Sequence, residues 1–196
     1  MRYVALGDSY TISTSVSEAE SWPSQLVAQL PALELVANLG VNGYTSGDLI
    51  AYELPRLAAL RPGFVTLMIG VNDVVQGVPE AVFHDNVEAI LDALLAQLPP
   101  LRILCVATPD YTVTPQGAAF GAPSVRRAAI ERVNKILGRS CVGHGVGFVA
   151  EIFAISQAAE ADRSLVAGDG LHPSASQYAR WVAVIGPAVE ELLGGG

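Results

Sequence analysis

Cysteine is nearly absent from this chain of 196 residues, which holds only Cys105 and Cys141. Two thiols build neither a disulfide framework nor a cysteine-rich metal site. Cys105 falls inside an apolar run and reads as a small core residue. Lys135 is the single lysine among 11 basic residues, which 19 acids outnumber to leave a net charge of -8. That balance excludes the clustered cationic face a nucleic-acid partner requires. Charged residues make up only 15% of the chain. Even so, no apolar run approaches the ~20 residues that cross a bilayer, so no stable membrane anchoring is expected. Histidine is sparse too: His84, His144 and His172 are scattered, with no cysteine or acid at ligand spacing, and no metal is expected. The run Gly143-His144-Gly145-Val146-Gly147 precedes a candidate strand instead of following one. It is therefore not a dinucleotide fingerprint, and no cofactor is expected.

What is present is a core. Hydrophobic residues are 51% of the chain, enough for one domain spanning residues 1–196. A functional-looking motif begins by Gly7, leaving no room for a signal peptide, and a cytoplasmic protein is the expectation. No feature of the sequence specifies an oligomeric state.

Apolar runs alternate with helical patterns. Strands are expected at Tyr3–Leu6, Leu33–Val36, Phe64–Ile69, Leu101–Ala107 and Gly147–Val149. Helices are expected at Glu20–Leu30, Gly47–Leu60, Pro79–Leu98, Ser124–Cys141 and Ser174–Leu193, with fraying at Gly194–Gly196. In the last helix Tyr178, Val182, Ile185, Val189 and Leu192 repeat at helical spacing. Pro109–Pro123 is rich in Pro, Gly, Thr and Ala and reads as a long structureless loop. Five strands with right-handed helical crossovers make an α/β fold, a three-layer α/β/α sandwich. Such sheets bind ligands beyond the carboxyl ends of their strands. Gly7–Tyr10, Asn38–Thr45 and Gly70–Asp73 occupy three such ends.

These segments hold a set of groups that fits acyl transfer. Ser9 is nucleophile-capable once a base takes its proton. Asp169-Gly170-Leu171-His172 places a carboxylate and an imidazole within one turn of chain, so one tight loop can hold both. The carboxylate fixes the tautomer and leaves the other ring nitrogen to act as base. Backbone N–H groups at Ser9 and at a glycine of Asn38–Thr45, with the Asn72 amide, can meet a developing oxyanion. Gly40 and Gly43 both qualify as that glycine. Asp73 reads as a brace for its loop. Taken singly, each piece also fits a helix cap or a strand-ending turn. Together they supply a nucleophile, a base with its orienting acid, and oxyanion donors.

Gly7-Asp8-Ser9-Tyr10, Asn38…Gly43-Tyr44-Thr45, Gly70-Val71-Asn72-Asp73 and Asp169-Gly170-Leu171-His172 resemble, in order, the four blocks of the SGNH (GDSL-type) hydrolases. Tyr10 stands where many members have leucine. The resemblance implies a flavodoxin-like sheet in the order 2-1-3-4-5 and a Ser9–His172–Asp169 triad. It also implies Gly43 as the oxyanion glycine beside Ser9 and Asn72, a small-molecule ester as substrate, and no cofactor. Short- to medium-chain acyl esters are expected, since no apolar lid is evident. Tyr10, Tyr44, Val74, Tyr111 and Phe120 are expected to line the pocket. The rival readings are a carbohydrate O-acetyl esterase, a lysophospholipase or thioesterase, and a non-catalytic binding module of the same fold.

Overall fold

The computed structural model describes residues 1–194. In chain order β1 (Arg2–Gly7) runs into α1 (Ser9–Ile12), followed by α2 (Trp22–Gln29) and β2 (Glu34–Asn38). Then come α3 (Ser46–Asp48), α4 (Leu54–Leu60), β3 (Phe64–Met68), α5 (Val71–Gln76), α6 (Glu80–Leu95) and β4 (Ile103–Val106). The chain closes with α7 (Pro123–His144), β5 (Gly147–Val149), α8 (Ile152–Ser156) and α9 (Ala175–Gly194).

The strands form one parallel five-stranded sheet in the order β2-β1-β3-β4-β5, as the family resemblance implies. β1 lies between β2 and β3, and its residues Tyr3 to Leu6 are all fully buried. Both faces of the strand are therefore covered, which is why it reads as an unbroken apolar run. α2 packs on α9, and α6 packs on α7 and α3. The one polar side-chain tip this burial creates in β1, the Tyr3 hydroxyl, meets Thr66 Oγ1 at 2.7 Å. Because β2 and β3 leave β1 on opposite sides, the strand order reverses there. A crevice opens at the carboxyl end of β1, where Ser9 stands.

Several elements differ from the sequence expectation. Gly47–Leu60 is not one helix: α3 and α4 are joined by a π-helical stretch, Leu49–Glu53, in which the Leu54 N–H reaches Leu49 O. Pro55 has no N–H to donate to the turn before it, and the widened turn accommodates that gap. Pro109–Pro123 is not structureless, because it holds two short 3₁₀ turns, Tyr111–Val113 and Gly117–Phe120. The buried Asp110 carboxylate pins it, accepting from Thr112 N–H at 3.0 Å and from Arg127 Nε at 2.7 Å. Contacts of that range leave no periodic trace in the sequence. α5 and α8 were not expected, being too short to show a helical period. Gly194 ends α9, and the rest of the expected frayed tail, residues 195 and 196, lies outside the described residues. No helix among the described residues is long and apolar enough to cross a membrane.

Candidate active site

β1 delivers Ser9 to the first position of α1, with Asp8 as the cap. Asp8 Oδ1 accepts the Tyr10 N–H at 2.9 Å, which fixes the turn carrying Ser9. Ser9 is 8% exposed, enough to reach a small molecule. The 38–45 loop wraps this turn. A Cβ on Gly40 would lie 2.6 Å from the Ile12 nitrogen and 2.7 Å from the Asp8 oxygen, so the loop touches the turn where only glycine fits. The Gly40 N–H is already taken by Asn38 Oδ1 at 3.1 Å. Gly43, by contrast, has a positive φ of 82° and open space where a Cβ would be. Packing thus separates two glycines that the sequence left equivalent: Gly40 serves close approach, and Gly43 stands clear.

Asn72 lies in the first turn of α5, directly after β3. One N–H of its amide is donated to Tyr44 O at 3.0 Å, leaving the second without that commitment. One turn later, Gln76 Nε2 donates to Gly43 O at 2.8 Å. α5 therefore holds the Gly43–Tyr44 segment by two side chains. The next residue, Asp73, is buried and accepts from the Ser46 N–H at 2.9 Å and from the Ser46 hydroxyl. Burial raises its carboxyl above the usual range, while the Ser46 donors pull it back. Its role as a brace follows from these bonds.

The third contribution comes from the loop before α9. His172 Nδ1 lies 2.6 Å from Asp169 Oδ2, and Asp169 Oδ1 accepts the N–H groups of Leu171 at 2.8 Å and His172 at 2.9 Å. Ser15 Oγ donates to Asp169 Oδ2 at 2.6 Å. Burial alone would raise the Asp169 carboxyl, but the donors from Ser15, Leu171 and His172 outweigh it and hold the group well below the usual carboxylate range. An ionised acid on Nδ1 holds the ring in the tautomer whose Nε2 can accept a proton. The rings of Tyr10 and His172 are 5.6 Å apart and tilted, so the residue after Ser9 supports the imidazole.

These pieces meet in a small cavity of about 40 Å³ lined by Ser9, Asn72, His172, Tyr10, Tyr111 and Phe120, among others. Ser9 and His172 both line it, with no direct hydrogen bond between them. A larger groove of about 550 Å³ between α7 and the β5 edge holds no serine, cysteine or histidine, so its size carries no catalytic weight.

Residues 5–180 match the sequence profile of the GDSL-like lipase/acylhydrolase family. The chain belongs to that family. It is accordingly an esterase or acylhydrolase. The esterase TesA of Pseudomonas aeruginosa is 22% identical over 194 residues, covering 97% of this chain and 88% of that protein. A crystal structure of TesA superposes with a TM-score of 0.77 at 19% identity over 98% of this chain and 99% of the other. Axe2, an acetylxylan esterase from Geobacillus stearothermophilus, superposes with a TM-score of 0.72 at 18% identity, over 98% and 94% of the two chains. At these identities the structural likeness speaks for the fold.

The GDSL-type cavity differs from its expected lining at two residues. Val74 is buried in the core, and Val71 and Val75 line the cavity instead. The reason is α5: with a helix in place of a loop, positions four apart share a face and Val74 turns away from it. Tyr44 is also outside the lining, because its ring packs on Tyr52 at 5.8 Å while only its carbonyl faces Asn72. Leu171 lines the cavity and Ser15 braces Asp169, and sequence reading missed both. Leu171 had a signal, since it sits inside the Asp-x-x-His block. Ser15 had none, as 154 positions separate it from its partner.

Proposed function

We propose that this protein hydrolyses carboxylic esters with short- to medium-chain acyl groups by a two-step acyl transfer. Ser9 attacks the ester carbonyl as His172 Nε2 takes its proton. Asp169 orients the ring and stabilises the imidazolium that forms. The Ser9 and Gly43 N–H groups and the free N–H of the Asn72 amide meet the oxyanion. His172 then returns the proton to the departing alcohol. Water, deprotonated by the same ring, releases the acid and regenerates Ser9.

The observation that carries this reading is the Asp169–His172 contact at 2.6 Å, on a ring that lines one cavity with Ser9 and Asn72. A binding module of this fold would leave that pair without a task. The acetylxylan esterase among the structural relatives shows that the fold supports acetyl ester chemistry.

The deciding experiment is labelling by a fluorophosphonate. The wild-type chain should be labelled stoichiometrically and Ser9→Ala should not be labelled at all. Equal labelling of both proteins would remove Ser9 as nucleophile. Rates on nitrophenyl esters from acetate to palmitate then fix the acyl range, and a maximum at palmitate would overturn the short-chain reading.

A further inference from the structure

The turn carrying Ser9 rests on buried acid. Asp8 and Glu53 are 0% and 1% exposed. Each accepts one backbone donor: Asp8 Oδ1 takes the Tyr10 N–H at 2.9 Å, and Glu53 Oε2 takes the Gly7 N–H at 3.0 Å. The other oxygen of each, Asp8 Oδ2 and Glu53 Oε1, is buried without a hydrogen-bond partner. A buried acceptor left unsatisfied is destabilising, and two ionised carboxylates in one dry site are more so. The two groups meet at Gly7, since Glu53 holds its N–H and Asp8 is the next residue. One proton answers both vacancies, because a protonated carboxyl is a donor.

We propose that Glu53 is a positioning residue for the Ser9 turn, donating a carboxyl proton through Oε1 to Asp8 Oδ2 and so tying the Leu6–Gly7 peptide to the Asp8 side chain that caps the turn. The π-helical stretch Leu49–Glu53 is the local device that ends on this glutamate. The surrounding charges agree. Burial is the largest influence on both groups, pushing Glu53 up to about 8 and Asp8 up to about 7. The Asp8 charge raises Glu53 further and the Arg56 guanidinium of α4 opposes it; on the far side, Asp73 of α5 raises Asp8. The Tyr10 and Tyr178 phenols, from α1 and α9, are raised chiefly by burial and further by the Asp8 charge. The two acids titrate as a unit that keeps a proton at neutral pH. Loss of that proton sets like charges against each other under Ser9. A misplacement of ~1 Å at a reacting group can lower a rate about 100-fold.

This role rests on the esterase reading of Ser9, so the test has one arm that does not. Infrared spectra of the full-length protein should show the carbonyl stretch of a protonated carboxylic acid at pH 7, clearly weaker in Glu53→Gln and lost from the wild type above pH ~9. In nitrophenyl acetate hydrolysis the wild-type kcat should fall at least about fivefold between pH 7.5 and 9.5 with KM little changed. Glu53→Gln, whose amide can accept from Gly7 and donate to Asp8, should lack that fall and keep kcat at pH 7 within about threefold. Glu53→Ala should lose at least about tenfold. An undiminished band in Glu53→Gln, or an alkaline fall that persists there, overturns the proposal. If no protein hydrolyses the ester, the esterase reading has failed, and the infrared band alone decides whether the proton is shared.

Discussion

Ser15 Oγ and Asp169 Oδ2 lie 2.6 Å apart, joining the loop after α1 to the loop before α9 across 154 positions. The bond makes the acid that orients His172 a shared acceptor. A hydrogen bond to a charged group is worth ~1.5–3 kcal/mol when buried, less at this part-exposed site. Ser15→Ala is therefore expected to lower kcat about three- to tenfold, with KM and thermal stability little changed. Steady-state kinetics check this; an unchanged kcat would mean that the backbone bonds of Asp169 suffice to hold it.

Asn72 and Gln76 each hold the Gly43–Tyr44 segment through one amide N–H, but only Asn72 lines the cavity with Ser9, where its second N–H can meet an oxyanion. Asn72→Ala should lower kcat by about two to three decades, the usual effect of deleting one such donor. Gln76→Ala should lower it by less than about tenfold, since it loosens the loop and removes no donor. Comparable losses in the two variants would reduce Asn72 to a loop brace.

The contrast between Gly40 and Gly43 predicts opposite failures. Gly40→Ala forces a Cβ to within 2.7 Å of two backbone atoms of the Ser9 turn, where nothing flexible can yield. It should lower stability by ~2 kcal/mol or more, read as a drop in Tm of about 4–8 °C for a chain of this size. Gly43→Ala meets no atom within 4 Å and bears only its positive φ, a strain of ~1–2 kcal/mol. Thermal melts that rank the two the other way would place the close approach elsewhere.

Glu53 should leave a signature in stability against pH. Its folded pKa, pushed up to about 8, lies above the ordinary carboxylate value, so its contribution is fully present below that ordinary value, declines as pH rises and is gone once pH passes about 8. Glu53→Gln has no proton to lose. The Tm of the variant minus that of the wild type should therefore rise from pH 5 to about pH 8, by several degrees, and level off above that. A difference that stays flat across this range would show that Glu53 does not titrate there.

Asp169 carries the opposite sign. Its depressed folded pKa contributes stability above the ordinary carboxylate range, and that stability begins to fall below the ordinary value and is gone once pH passes the folded one. Asp169→Asn should therefore lose its destabilising effect as pH falls below about 4. Thermal melts of both proteins between pH 3 and 7 provide the comparison.

How much of this was legible beforehand follows from the distance over which each feature is built. Ser9, Asn72 and the Asp169–His172 pair stand in short blocks at the ends of strands, so residue type and local spacing were enough to select them. The inner strands β1, β3 and β4 were equally plain, because a strand covered on both faces must be apolar throughout. The parallel sheet and its active edge follow from that alternation. The remaining features came from packing. Helical rotation in α5, too short to betray a period, chose Val71 and Val75 over Val74 for the cavity wall. Close approach to the Ser9 turn separated Gly40 from Gly43. Ser15 and Glu53 acquired their partners at separations of 154 and 46 positions, where no pattern in the chain connects them. The sequence by itself determined the chemical groups and the layered fold, because local polarity and strand burial are written residue by residue. Only the tertiary structure decided which groups face one another and which acid stays dry, because both depend on surfaces that exist only after the sheet has closed.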